Sequence, residues 1–343
     1  MTLPSFKLPD FKEQQLKWQA IVAKYQNPNL GRSIWQIVNT FGPYLLAWFL
    51  MYRVMAVSYW LTLLMAPVAA GLLVRIFIIL HDCGHGSYFK SNTANDVMGT
   101  LAGILTFTPY LQWRHEHAIH HATSGDLDRR GVGDVYTMTV DEYRQSPWWK
   151  RAGYRLYRHP IVMFGFGPLY VFLVSHRFVS PHSGGREKLN LHLTNLAILA
   201  LILIAGATIG FKEYLLIQLP IMWLSATAGV WMFYVQHQFE DTYWREHPEW
   251  QYVAAALEGS SYYKLPKVLQ WFTGNIGFHH IHHLSPRIPN YNLEKAFKEN
   301  PIFQHVTVVT MWESIKTLSL KLWDEQQQKM VSFRYLKSLR QPR

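Results

Sequence analysis

Four long, almost uncharged runs organise this chain: Ile34–Met51, Val57–Leu80, Leu193–Phe211 and Tyr214–Val235. Each approaches or exceeds the ~18–20 apolar residues with which a helix crosses a bilayer. Arg75 is the one charge inside them, and Arg53 and Lys212 fall in the short connections between them. Those connections pair the runs into two helical hairpins, at 34–80 and 193–236. A hairpin returns the chain to the side it left. The N-terminal arm 1–33, the middle segment 81–192 and the C-terminal segment 237–343 therefore share one side of the membrane. Two shorter apolar stretches, Val97–Leu111 and Pro160–Val174, are about 15 residues each and contain Pro and Gly. They read as interfacial or re-entrant segments on the common side. The arm is polar and charged, and reads as amphipathic, not as a cleavable leader.

Composition agrees with an all-α membrane protein of four transmembrane helices. Hydrophobic residues make up 49% of the 343 and charged residues only 16%, where soluble domains carry about a quarter. Of the 33 Lys and Arg, 30 lie outside the hairpins, on the common side. The positive-inside rule makes that side cytoplasmic, and the expected location is the cell membrane. The net charge of +11 is thus first a topology signal. No basic run, zinc finger or RNA-binding motif accompanies it, so nucleic acid is not an expected partner. The single cysteine, Cys83, excludes an internal disulfide and fits a reducing compartment.

Histidine then supplies the chemistry. Three clusters stand out: His81-Asp-Cys-Gly-His85, His117-Ala-Ile-His120-His121 and His279-His280-Ile-His282-His283. Histidines at i and i+4, or at i, i+3 and i+4, share a helix face and can converge on one point. Eight such imidazoles read as a polynuclear metal site, with Zn, Cu, Fe and Ni all open on ligand type alone. His81 follows the second apolar run and His237 follows the fourth, so His237 joins the candidates. The competing reading of His237 is a helix-end histidine facing the dipole. His115 and His280 lie off the common spacing and read as neighbours, and Cys83 as a packing residue. Ligating imidazoles usually donate their second N–H to a carboxylate or carbonyl. Asp82, Glu116, Glu240 and Asp241 are placed for this by proximity, and Asp126, Asp128 and Asp134 by a following loop.

The ordered triplet HDCGH, HxxHH after Trp113-Arg114-His115-Glu116, and HxxHH after Gly277-Phe278 resembles the three histidine boxes of the membrane fatty acid desaturases. The text around the second and third boxes resembles the bacillus-type acyl-lipid members. This resemblance implies a cytosolic helical cap over the four spans and a non-haem centre of two Fe ions using O2. Its ligands would be His81, His85, His117, His120, His121, His279, His282 and His283, with His237 as a ninth. Structurally known relatives place an asparagine four residues before that histidine, where this chain has Phe233. The resemblance further implies a cis double bond at carbon 5 or 10 of a saturated phospholipid acyl chain. Trp113, Trp231 and Trp271 would be candidate walls of an acyl tunnel.

The chain contains no cytochrome-like extension, dinucleotide-binding glycine loop or cysteine set for an iron–sulfur cluster. A separate donor is therefore expected. The resemblance points to a ferredoxin or flavodoxin, both acidic, and the basic face suits either. That face equally suits anionic lipid headgroups. Two other functions fit parts of the pattern. A hydroxylase would use the same boxes, and a metal transporter would use histidine-rich segments. Transporters place ionisable ligands near the membrane midplane, however, and these runs offer almost none.

Overall fold

A computed structural model describes residues 18–339; the first half of the N-terminal arm lies outside the described residues. The helices that position the site are α1 (Leu30–Met55), α2 (Tyr59–Gly84), α3 (Asn92–Leu105), α4 (Tyr110–Thr123), α5 (Trp148–Tyr157), α6 (Gly185–Ile209), α7 (Phe211–His237), α8 (Lys267–Phe272), α9 (His279–Leu284) and α10 (Asn290–Glu299). Strand is scarce: Tyr262–Lys264 pairs in parallel with Val308–Thr310, and Leu322–Asp324 pairs antiparallel with Lys329–Val331.

α2, α6 and α7 are long and apolar enough to cross a membrane. α1 has the length, at 26 residues, but not the apolarity, and this departs from the four equivalent runs expected. The reason is its inner face. Ser33, Gln36 and Thr40 recur at helical spacing there and are buried, against hydrogen-bonding partners. α1 and α2 form one antiparallel pair, joined through Ala56–Ser58, with the Ser58 hydroxyl capping α2. α6 and α7 form the other. They turn at Gly210, whose φ of 100° is a conformation open to glycine at little cost. α2 packs against α1, α3 and α7 and is the central helix. Apolar on all sides, it needs neighbours all round.

The second hydropathic ambiguity lies at 148–177. α5 and the helical stretch Ile161–Arg177 meet at 55°, and together they match a fourth apolar span. Both ends are nevertheless tied near the histidines. Arg158 donates to Gln238, just past α7, at 2.7 Å, and Gln112 of α4 donates to the Phe178 carbonyl at 3.2 Å. In between, Trp223 and Thr227 of α7 donate to the carbonyls of Gly165 and Phe164. The stretch therefore leaves and returns towards one end of the bundle. Much of it is wide π-helix, at Ile161–Phe166 and Tyr170–Val174. Its exposed residues Ile161, Phe166, Tyr170 and Val174 form an outward apolar stripe.

The C-terminal segment also dips beside α2. The Phe272 ring fills the space over Gly71, ten residues or about 15 Å below His81 along the helix. Arg75 holds this excursion in place. Its guanidinium lies 4.1 Å from the Trp271 ring, donates to the Trp271 carbonyl and bonds Thr40 at 3.1 Å.

Between α3 and α4 the chain turns tightly enough that a Cβ on Gly103 would sit 2.4 Å from the Thr108 carbonyl oxygen. The obstacle is backbone and cannot rotate away. Gly103→Ala is expected to cost about 1–3 kcal/mol and to lower the thermal unfolding midpoint of the purified protein in detergent. An unchanged midpoint would mean that the turn relaxes freely.

Candidate metal centre

Four pieces of chain bring the histidines together at one end of the helical pairs. His81 lies in the last turn of α2, and His85 caps that helix. His117, His120 and His121 belong to α4, His237 ends α7, and His279, His282 and His283 belong to α9. They sort into two groups, in each of which the ligand nitrogens lie within 4.8 Å of one another. One group holds His81, His85, His117, His121 and His282; the other holds His120, His237, His279 and His283.

Helix geometry explains the sorting. In each HxxHH box the i and i+4 residues face one way, and the remaining imidazole, about 100° round the helix from its neighbour, faces another. α4 sends His117 and His121 to the first group and His120 to the second. α9 does the reverse, sending His279 and His283 to the second group and His282 to the first. Each short helix thus bridges both groups. Where they adjoin, His121 and His283 stack with ring centroids 4.2 Å apart.

Within each group, ring nitrogens face ring nitrogens. His121 Nε2 stands 3.2 Å from His117 Nε2 and 3.1 Å from His282 Nε2, and His279 Nε2 stands 3.0 Å from His237 Nε2. Neutral imidazoles cannot satisfy such a convergence by hydrogen bonds alone, since each has one donor and one acceptor on opposite nitrogens. His85 Nε2, both nitrogens of His120 and His283 Nε2 are buried with no hydrogen-bond partner. Orphaned polar atoms cost about 1–3 kcal/mol apiece. Burial first, and crowding by other imidazoles second, push His85, His117, His121, His279, His282 and His283 well below the usual histidine range. Neutral, converging and unpartnered nitrogens fit two metal ions, one in each group.

Two of the candidate ligands are oriented from outside. His81 Nδ1 meets Asp82 Oδ1 at 3.2 Å, and His237 Nδ1 meets the Gly259 carbonyl at 3.1 Å. Each leaves Nε2 for the centre. The other acidic neighbours go elsewhere. Asp126 pairs with Arg129 at 2.6 Å and His247 at 2.8 Å, Asp128 accepts from the His247 backbone, and Asp134 accepts from Gly131. Glu240 pairs with Lys329 at 3.7 Å, and Asp241 is exposed. Glu116 makes no hydrogen bond to a cluster histidine among the described residues. His280 turns away to the Phe303 carbonyl at 3.0 Å, with burial holding it down to about 3, and His115 is exposed. Cys83 is buried and belongs to neither group.

Of the three tryptophans, Trp113 is at the site, stacked on His117 at 4.5 Å. Trp231 bonds Tyr263, and Trp271 is held by Arg75. The Phe233 ring covers the four-imidazole group, 4.9 Å from His120 and 5.1 Å from His237, and has no polar atom with which to hold a water there. A cleft beside it is lined by His120, Asp134, Phe233, His237, Tyr243 and Gly259. The carbonyl of Gly259 and the side chain of Asn290, which grips Asp82 at 2.8 Å, had no sequence signal: one is backbone, and the other lies 208 residues from its partner.

Sequence comparison identifies the family. A family model described as fatty acid desaturase matches residues 58–313, three-quarters of the chain and all nine histidines. The chain belongs to the fatty acid desaturase family. It is 49% identical over 328 residues to a fatty acid desaturase of Bacillus subtilis (strain 168), covering 96% of this chain and 93% of that protein. It is 26% identical over 309 residues to an sn-1 acyl-lipid omega-3 desaturase (ferredoxin) of Synechocystis, covering 85% of this chain and 83% of the relative. A chloroplastic omega-6 fatty acid desaturase of Brassica napus is 26% identical over 258 residues, but the match spans only 54% of that protein. Membership and the apolar helices together make this an oxidoreductase of the membrane, and the histidine groups are compatible with a metal site.

Proposed function

We propose that the chain is an O2-dependent acyl-lipid desaturase with a non-haem di-iron centre, inserting a cis double bond into a saturated chain of a membrane phospholipid. The observation that carries this reading is the division of nine imidazoles, seven of them buried, into groups of five and four at one end of the helical pairs. In this reading His81, His85, His117, His121 and His282 hold one iron, and His120, His237, His279 and His283 the other. Reduced iron would supply the electrons with which O2 becomes an oxidant strong enough for an unactivated alkyl chain, chemistry that side chains cannot perform. The balance is one CH2–CH2 unit, O2, two electrons and two protons giving one CH=CH unit and two waters.

The chain's own part is to hold, orient and exclude. The carboxylate of Asp82 and the carbonyl of Gly259 hold two imidazoles in one tautomer. Phe233 and Trp113 line the centre with apolar surface, which keeps bulk water from the reacting carbons. α1, α2, α6 and α7 act as four spans in two hairpins, with 81–192 and 237–343 as a cap on the cytoplasmic side, the side the positive charge favours. Two electrons per turnover come from a small acidic carrier of the ferredoxin or flavodoxin type. The Synechocystis relative's name and the charge of +11 support this. Carbon 5 or 10 is the proposed position, by resemblance to the bacillus-type enzymes.

Expression in a bacterial host with a reduced carrier, followed by gas chromatography–mass spectrometry of bond-locating derivatives, tests the reading. One new cis alkene at a fixed carbon, found in phospholipid before free acid, is expected. A hydroxy acid in its place would transfer the chain to oxygenation chemistry.

A further inference from the structure

Asp82 is almost wholly buried, yet no lysine or arginine pairs with it among the described residues. Its Oδ1 faces His81, and its Oδ2 accepts two hydrogen bonds from one residue, Asn290, through the backbone N–H at 2.7 Å and the side-chain amide at 2.8 Å. Asn290 opens α10, seven residues beyond the third histidine cluster, and is itself buried. Its amide oxygen accepts from Gln36 of α1 at 3.0 Å, and Asn275 donates to its backbone carbonyl at 3.1 Å. A buried carboxylate without a cation is costly unless its oxygens are fully engaged and a positive charge lies near. Asn290 supplies the first condition. A metal held by the five-imidazole group that includes His81 would supply the second.

We propose that Asn290 is a positioning residue of the centre. It aims Asp82 so that the carboxylate fixes His81 with the proton on Nδ1 and Nε2 on the metal, and Gln36 aims Asn290 in turn. The inference rests on the reading that the five-imidazole group holds iron. It adds a clamp that joins the first helical pair to the C-terminal segment at one ligand of that group. Because the Asp82–Asn290–Gln36 chain meets the centre at His81, a member of the five-imidazole group, the clamp acts on one iron and not on the other.

The test uses the full-length protein, purified in detergent and loaded with iron, and compares it with Asn290→Ala, the isosteric Asn290→Asp and Asn275→Ala. Asn290→Asp retains the shape, the bond from Gln36 and the backbone N–H to Asp82 but removes the side-chain donor and sets a second carboxylate against it, so it serves if alanine prevents folding. Asn275→Ala disturbs the same turn without touching Asp82. Loss of a partner behind a ligand typically weakens metal affinity roughly 10–100-fold. Both Asn290 variants are therefore expected to release one iron to a chelator about 10–100-fold faster, with one of the two Mössbauer doublets altered and the other unchanged. Asn275→Ala should retain both irons and both doublets. Wild-type release rates and spectra in the Asn290 variants would overturn the clamp. Equal loss of both irons in all three variants would also overturn it, by reducing Asn290 to a structural role. An unsubstituted protein that binds no iron would instead overturn the centre itself, and the clamp with it.

Discussion

Alanine at His237 is expected to abolish desaturation, with activity falling by more than about 100-fold, beyond the typical cost of losing a partner behind a ligand. The chain should remain in the membrane, because the substitution touches none of the lipid-facing surface. On the proposed di-iron reading, bound iron should fall from two towards one per chain. The same outcome is expected for His120→Ala, since both residues belong to the four-imidazole group and either loss leaves three ligands. His282→Ala should also end activity, but the five-imidazole group still offers four nitrogens, so its iron should be retained better. His280→Ala is the internal control. It lies between ligands in sequence but points at the Phe303 carbonyl, so both irons should remain, with a cost confined to stability. Iron per chain and the fatty acid profile of the host membrane read all four. Two irons and full activity in His237→Ala would remove that residue from the ligand set.

The contrast between His280 and its neighbours shows what the linear chain could and could not disclose. Box spacing announces convergence, because i and i+4 on a helix have one geometric meaning. It does not announce that each box divides its imidazoles between two groups, since that depends on the rotation of α4 and α9 about their own axes. The apolar runs were legible because lipid exposure requires uniform apolarity. Their ends were less so. α2 continues to Gly84 and α7 to His237, beyond the apolar runs, and these polar last turns carry the candidate ligands His81 and His237. α1 diverges most, because its buried polar face serves Asn290 and Arg75 and dilutes its hydropathy.

Proximity in sequence predicted the partners of the ligands poorly. Glu116 adjoins His117 but lies about 100° round the helix. Asp126 follows the second box, yet the chain has turned at Gly125, with φ 77°, and delivers it to Arg129 and His247. The partners in use are Asp82, oriented by a residue 208 positions away, and a backbone carbonyl. Neither long-range packing nor backbone direction is written in local pattern.

Acid is expected to act on the same cluster from the opposite direction. Burial holds His85, His117, His121, His279, His282 and His283 well below the ordinary histidine range, whereas the unfolded chain titrates near pH 6.5. Above about pH 6.5 both states carry neutral imidazoles, and their contribution to stability is full. Below it the unfolded state binds more protons than the folded one, so stability declines as pH falls. Each group costs up to about 1.4 kcal/mol per pH unit in this window, until the coupled cluster takes up its first proton. Metal-free protein in detergent should therefore show an unfolding midpoint that is flat from pH 8 to about 7 and falls progressively below about 6.5. Iron-loaded protein should resist further into acid, because an ion bound to the folded state alone stabilises it by mass action. It should then fail abruptly as protons displace the ion from several imidazoles together. A metal-free midpoint insensitive to pH between 7 and 5 would contradict the burial of neutral histidines on which the centre depends.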